Sequence, residues 1–332
     1  MAEKVRQSNI ELCRIASILL VMLVHSTGQS LGDEMGLDAH ILKGFTIIGV
    51  NVFVMITGYF SATPKKISLL NLAFICLFWM AIKVGCRLWF GQPVSIKYAF
   101  FITNSNWFIA NYIGLLLFAP ILNSFCKTSS RRALLGGVLS LIVVEVWFDL
   151  LPPTPKVKLG TQDGYSILSF MILYLLARYI RLYGLSNWIK SVAPLIYIFC
   201  SLFIGITAYM DKAMGLNDNG GIMFAYSNPI VILSSVAFLI MFERMSIQSK
   251  FINHIAKSTL AVLLGHSAIF FLYTKQFKYL YEHYTGIEVV VYWALSITIV
   301  FVASILIDQL RLLLWKPINS WLTFHIKNNI IY

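Results

Sequence analysis

The sequence predicts an all-α, polytopic membrane bundle of about ten transmembrane helices, with both termini in the cytoplasm. Three observations lead to that class. Of the 332 residues, 58% are apolar and only 12% charged, with a mean hydropathy of +0.77; a soluble domain is nearer a quarter charged. The apolar residues fall into runs long enough to cross about 30 Å of hydrocarbon at about 1.5 Å per residue. Between the runs lie short connections in which Lys and Arg cluster on alternate sides. The formal net charge of +12 is therefore spread as membrane topology requires and not as a nucleic-acid groove requires, so no nucleic-acid partner is expected.

Taken in order, hydrophobicity and punctuation place spans at about 9–29, 43–62, 69–91, 106–126, 133–151, 166–183, 190–210, 223–242, 258–275 and 288–312. No polar stretch is long enough for a soluble domain. Residues 1–315 therefore read as one membrane domain and 316–332 as a cytoplasmic tail, in which Trp321, Phe324 and Lys327 suit a helix on the membrane surface. The basic start at Lys4 and Arg6 is like that of a signal peptide. Glu11 and Arg14 interrupt the apolar run that follows, and no small-x-small cleavage site is evident, so an uncleaved first span is expected.

Orientation follows from the basic residues. Sixteen Lys and Arg fall on the side that holds Lys4, Lys65, Lys66, Arg178, Arg181 and Lys316. Seven fall on the other, among them Lys43, Lys97, Lys156, Lys158 and Lys278. The richer side is set as cytoplasmic. The five cysteines (Cys13, Cys76, Cys86, Cys126, Cys200) lie in or beside apolar runs without metal-like spacing, and read as packing residues.

The first span carries two ionisable side chains, Arg14 and His25. At about 100° and 1.5 Å per residue they share one side of a helix and stand about 16 Å apart. Groups of that kind face a protein interior or an aqueous cavity. Arg14 lies toward the cytoplasmic face, where a guanidinium fork suits phosphate or pyrophosphate; Lys65 and Lys66, just after the second span, either join that site or anchor the helix. Glu11, Asp308 and Arg311 lie at comparable depth, and a salt-bridge network with Arg14 is the competing reading.

Other polar residues lie toward the outer side. Lys83 and Arg87 share one face of the third span, and Glu145 and Asp149 one face of the fifth, at similar depth. They form either a structural ion-pair cluster or one wall of a polar cavity reached by His25. Asn106 and Trp107 stand at the outer boundary of the fourth span as candidates to line an approach. His266, inside the ninth span, reads from its surroundings as a packing histidine.

These stretches resemble a known family. The opening R-Q-S-N-I-E-L-C-R-I-A-S-I-L-L-V-M-L-V-H-S is similar to that of the acyltransferase-3 family of integral membrane O-acyltransferases, whose members include enzymes that O-acetylate polysaccharides. The second span, G-V-N-V-F-V-M-I-T-G-Y-F, resembles its small-residue pair, Phe and Ser/Thr-Gly-Tyr/Phe-Phe pattern. N-W-F-I-A-N-Y-I-G-L-L-L-F-A-P-I-L-N is similar to its Trp-Phe…Tyr…Pro-x-Leu-Asn signature, and I-A-K-S-T-L-A-V-L-L-G-H to its late aliphatic stretch ending in His.

The resemblance implies a ten-helix bundle of the bacterial cytoplasmic membrane. It moves an acyl group, usually acetyl from acetyl-CoA, onto a hydroxyl of a cell-envelope glycan or lipid-linked sugar. The family's key arginine and histidine fall on Arg14 and His25, and its late histidine on His266. Many members carry an Arg-x-x-Arg motif after the second span; this chain has Lys65-Lys66 there instead. No permanently bound cofactor is implied, acyl-CoA being a substrate.

His25 suits the role of base or transient acyl carrier. A pantetheine arm matches the 16 Å from Arg14, at about extended-chain reach. Substrate contacts are then expected from Lys65, Lys66, Lys83, Arg87, Asn106, Trp107, Glu145 and His266. Two other classes fit the same composition. A glycan flippase would line its path with the same charges, and a proton-coupled transporter would show broken helices in matching halves, which this sequence lacks.

Overall fold

The structure is a computed structural model that describes residues 6–94, 106–150, 162–216 and 218–328. Lys4, Lys97, Lys156 and Lys158, used above for orientation, lie outside the described residues. Among those described, all regular structure is helical. α1 (Ser8–Val24) runs directly into a π-turn (His25–Gln29). α2 (Leu37–Thr46) and α3 (Gly49–Tyr59) follow nearly end to end, then α4 (Lys66–Trp89), α5 (Trp107–Thr128) and α6 (Arg131–Asp149). Next come α7 (Ile167–Tyr183), α8 (Asn187–Ala213) and α9 (Pro229–Glu243). The chain ends with α10 (Lys250–Ile255), α11 (Thr259–Ala268), α12 (Phe270–His283) and α13 (Gly286–Asn328).

The local sequence accounts for many of the starts. Asn106, Ser130, Ser166, Ser186, Asn228 and Ser249 each accept a hydrogen bond from a backbone N–H two or three residues on, capping α5 to α10 in turn. Pro229 follows its cap at the first helical position, where a missing N–H costs nothing. α13 runs unbroken past Lys316, so the expected tail continues the last helix, with Pro317 inside it.

Seven helical stretches have the length and apolar composition to cross a membrane: Ser8–Gln29, Leu37–Tyr59, Lys66–Trp89, Trp107–Thr128, Asn187–Ala213, Gly221–Glu243 and Gly286–His325. An eighth is the broken pair Lys250–Ala268 and Phe270–His283, bent by 75°. The expectation was ten. The two remaining segments are helical but less suited: α6 carries Arg131, Arg132, Glu145 and Asp149, while α7 has 17 residues and holds Arg178 and Arg181 in its last two turns.

α1 sits at the centre, packed on α2, α3, α9 and α11, while α4 and α13 flank α11. Its buried face (Ile10, Cys13, Ser17, Ile18, Val21, Met22) makes it a core element. α13 is the opposite case, with only 11% of its most apolar stretch buried and Ile299, Leu306 and Leu313 exposed. An exposed apolar belt of that kind belongs to a helix facing lipid. The helices are those of an integral membrane protein.

Candidate functional site: two cavities joined by the first helix

The end of α1 is shaped by its own hydroxyls. Ser26 Oγ donates to the Leu23 carbonyl at 2.8 Å, Thr27 Oγ1 to Leu23 and Val24, and Ser30 Oγ to the His25 carbonyl at 3.1 Å. Side chains that take up main-chain carbonyls compete with the regular ladder, and the helix opens into the π-turn that begins at His25. Two further bonds hold this corner. Trp293 Nε1 donates to Ser26 Oγ and Tyr273 Oη to the Met22 carbonyl, each at 2.7 Å.

His266 reaches the same point from the broken ninth segment. Gly265 lets α11 approach α13: a Cβ there would stand 2.3 Å from Ser304 Oγ and 3.1 Å from the Trp79 ring. The next residue is thereby set facing α1, and His25 Nδ1 lies 2.9 Å from His266 Nε2. His266 Nδ1 stands 3.0 Å from the Val262 carbonyl, which can only accept, so Nδ1 carries a proton. In the neutral ring Nε2 then accepts, and His25 must donate from Nδ1. The remaining nitrogen of His25, Nε2, is left with its lone pair. Phe270 meets the His25 ring edge-on at 5.4 Å and limits its rotation.

His25 and His266 line a cavity of about 330 Å³ together with Lys83, Arg87, Asn106 and Trp107. Six residues singled out in the sequence thus share one space, although they come from α1, α4, α5 and α11. Trp107 packs against Tyr165 at 4.3 Å and Tyr226 at 5.8 Å, which fixes that wall. A small annex of about 30 Å³ shares Lys83, Asn106 and Ser267 with it and is closed by Cys76, Trp79 and Met80.

Glu145 is placed elsewhere. It is buried where α6 packs on α7, and accepts a hydrogen bond from Ser169, which also bonds Ser166 at 2.8 Å. Among the described residues no ion pair joins it to Lys83 or Arg87. Depth in a bilayer fixes height along the membrane normal but not position around the bundle, so equal depth does not bring Glu145 to Lys83 or Arg87.

A second cavity, of about 360 Å³, opens at the other end of α1 and is lined by Arg6, Gln7, Glu11, Tyr59, Phe60, Ser61, Arg178 and Arg181. Arg181 donates to Tyr59 Oη at 2.9 Å and Arg178 to the Tyr59 carbonyl at 3.4 Å. Arg14 is not on its wall but is held beside it by an ion pair to Glu11 at 3.2 Å. The network that competed with a phosphate role for Arg14 resolves into two separate groups: Glu11 with both Arg14 and, at 3.7 Å, Arg6, and buried Arg311 with Asp308 at 2.5 Å. Lys65 and Lys66 are exposed at the start of α4 and line neither cavity.

Arg178 and Arg181 were read from the sequence only as topological charges. Their spacing, Arg-Tyr-Ile-Arg, places both on one face of α7 and was the signal to follow.

No curated protein and no solved structure matches the chain significantly. The sequence model of the acyltransferase domain does match, over residues 7–308, from the start of α1 into α13 and across both cavities. The chain belongs to the acyltransferase-3 family and is a membrane acyltransferase.

Proposed function

We propose that the chain moves an acetyl group from acetyl-CoA to a hydroxyl of a cell-envelope glycan or lipid-linked sugar. The observation that carries this reading is the relay from the Val262 carbonyl through His266 to His25. It fixes one tautomer and leaves the His25 Nε2 lone pair for the acceptor. His25 takes the proton of the hydroxyl as its oxygen attacks the thioester carbonyl. The new C–O bond forms, the tetrahedral oxyanion collapses, and the C–S bond breaks. The imidazolium returns the proton to the departing thiolate. Asn106, whose Oδ1 is committed to capping α5, offers its amide N–H to the oxyanion.

The donor's phosphates fit the arginine cavity, where three guanidinium groups supply forked donors. Arg14 lies one turn further along, about 16 Å from His25, a length an extended pantetheine arm matches. Lys65 and Lys66 add positive field on that side. The annex supports a small acyl group, its 30 Å³ leaving room for only about two water-sized groups. In the bacterial cytoplasmic membrane, with ten crossings, a single membrane domain over 1–315 and both termini inside, the arginine cavity faces the cytoplasm and the histidine cavity faces outward. The burial of Glu145 against Ser169 favours a structural role for that carboxylate.

The test is transfer in proteoliposomes that hold the purified full chain. Labelled acetyl-CoA and an envelope glycolipid extract should yield a base-labile acetyl ester, lost at least about 100-fold in His25→Ala. An ester formed equally fast by that variant contradicts the reading.

A further inference from the structure

We infer that Lys83 and Arg87 hold an anionic oxyacid group of the acceptor, so that the hydroxyl acylated at His25 belongs to a molecule bearing phosphate or carboxylate. The inference rests on the acyl-transfer reading and names the acceptor class that reading leaves open. Both cations project from one face of α4, four residues apart, into the cavity that holds His25. Among the described residues no carboxylate lines the cavity. The nearest candidate by depth, Glu145, is engaged by Ser169. Segments 95–105 and 151–161, which lie outside the described residues, contain no Asp or Glu, so neither can supply a counter-charge.

The cations' own hydrogen bonds point the same way. Arg87 Nε donates to the Pro93 carbonyl at 3.0 Å, and among the described residues its two terminal nitrogens have no acceptor. Lys83 has no described hydrogen-bond or ion-pair partner, although it is only part-exposed. Unpaired cations at membrane depth are expensive and mark a ligand path. A neutral sugar presents hydroxyls that donate as well as accept, and is met by mixed donors and acceptors. Lys and Arg only donate, so a wall made of the two suits a ligand group that only accepts. An oxyanion is such a group, and the spacing of the two heads lets them straddle it while an adjacent hydroxyl reaches His25.

The test uses the full chain in proteoliposomes, first without acyl donor. Three probes are compared for binding: a short poly(glycerol phosphate), an oligogalacturonate and neutral maltotetraose. The expected result is at least tenfold tighter binding of an anionic probe than of maltotetraose, weakening as salt is raised. Lys83→Gln and Arg87→Gln should each cut that preference roughly tenfold, whereas Lys83→Arg keeps most of it and shows that the bundle tolerates change there. Preference for the phosphate or for the carboxylate probe tells which oxyacid the site reads. Equal binding of charged and neutral probes, or an unchanged preference in both Gln variants, overturns the inference. Adding labelled acetyl-CoA then separates the two claims: anion binding by wild type without acetyl transfer keeps the anion site and removes the acyl-transfer reading.

Discussion

His25 and His266, 241 residues apart in the chain, meet at 2.9 Å through Nδ1 and Nε2. The contact sets the proton inventory of the site, because the Val262 carbonyl already claims the other nitrogen of His266. A histidine that looks like packing when read alone is the partner of His25, and in the proposed mechanism it orients the base.

Variants at His266 separate orientation from chemistry. His266→Ala removes the acceptor for His25 Nδ1–H and should lower kcat about 100-fold or more, with the KM for acetyl-CoA little changed. His266→Gln can offer a carbonyl oxygen to the same proton and should recover part of the loss. Initial rates of labelled acetyl transfer across the pair check this; equal rates for Ala and Gln would mean that the contact does not orient His25.

In the proposed mechanism the arginines act on the donor. Arg178→Ala and Arg181→Ala should each raise the KM for acetyl-CoA roughly tenfold while kcat changes far less. Arg14→Ala should also weaken donor use, because Glu11 on the cavity wall then keeps only Arg6, at 3.7 Å, as its ion-pair partner. Saturation curves in acetyl-CoA at fixed acceptor distinguish these effects from a general loss of fold.

If the annex receives the acyl group, its size sets the acyl length. Met80→Ala enlarges the space bounded by Cys76 and Trp79 and should let butyryl-CoA compete with acetyl-CoA. The ratio of kcat/KM for the two donors is expected to move toward butyryl by roughly tenfold, the scale of one or two methylenes in a hydrophobic pocket. A wild type that already uses both donors equally would contradict a size limit at this point.

Gly265 tests the packing beneath the histidines. Gly265→Ala puts a methyl 2.3 Å from Ser304 Oγ and 2.9 Å from Ser304 Cβ. Overpacking of this kind costs about 1–3 kcal/mol and should lower the Tm in detergent. The second change Ser304→Gly clears both atoms and should restore part of the loss, since the Trp79 contact and the cost of a mid-helix glycine remain, measured by thermal unfolding of the single and double variants.

Much of the fold could be read directly because apolar runs and caps are local: each of the ten expected segments is largely helical among the described residues, although seven or eight of them, not ten, have the length and apolar composition to cross a membrane. The bend after Ala268 was not legible, since no proline or glycine marks it and tertiary contacts, Tyr273 to Met22 among them, hold the two pieces at an angle. Of the site, Arg14, His25, Lys83, Arg87, Asn106 and Trp107 stood out as polar or amphipathic groups in apolar surroundings. What united His25, Lys83, Arg87, Asn106, Trp107 and His266 was azimuth, which a chain of separate spans does not encode. The same gap made Glu145 a plausible partner for Lys83 until α6 was seen to pack on α7. Arg178 and Arg181 were hidden differently, because a basic residue on the cytoplasmic side already has an explanation in topology.

The most direct test of the account compares native-host cells carrying wild type or His25→Ala, by mass spectrometry of envelope glycans and lipid-linked sugars. The account predicts a base-labile acetyl-sized increment that is present with wild type and absent with the variant, at equal levels of membrane-inserted protein. The same increment in both, or a loss of glycan export with no acyl difference, would contradict it and make His25 a residue on a transport path.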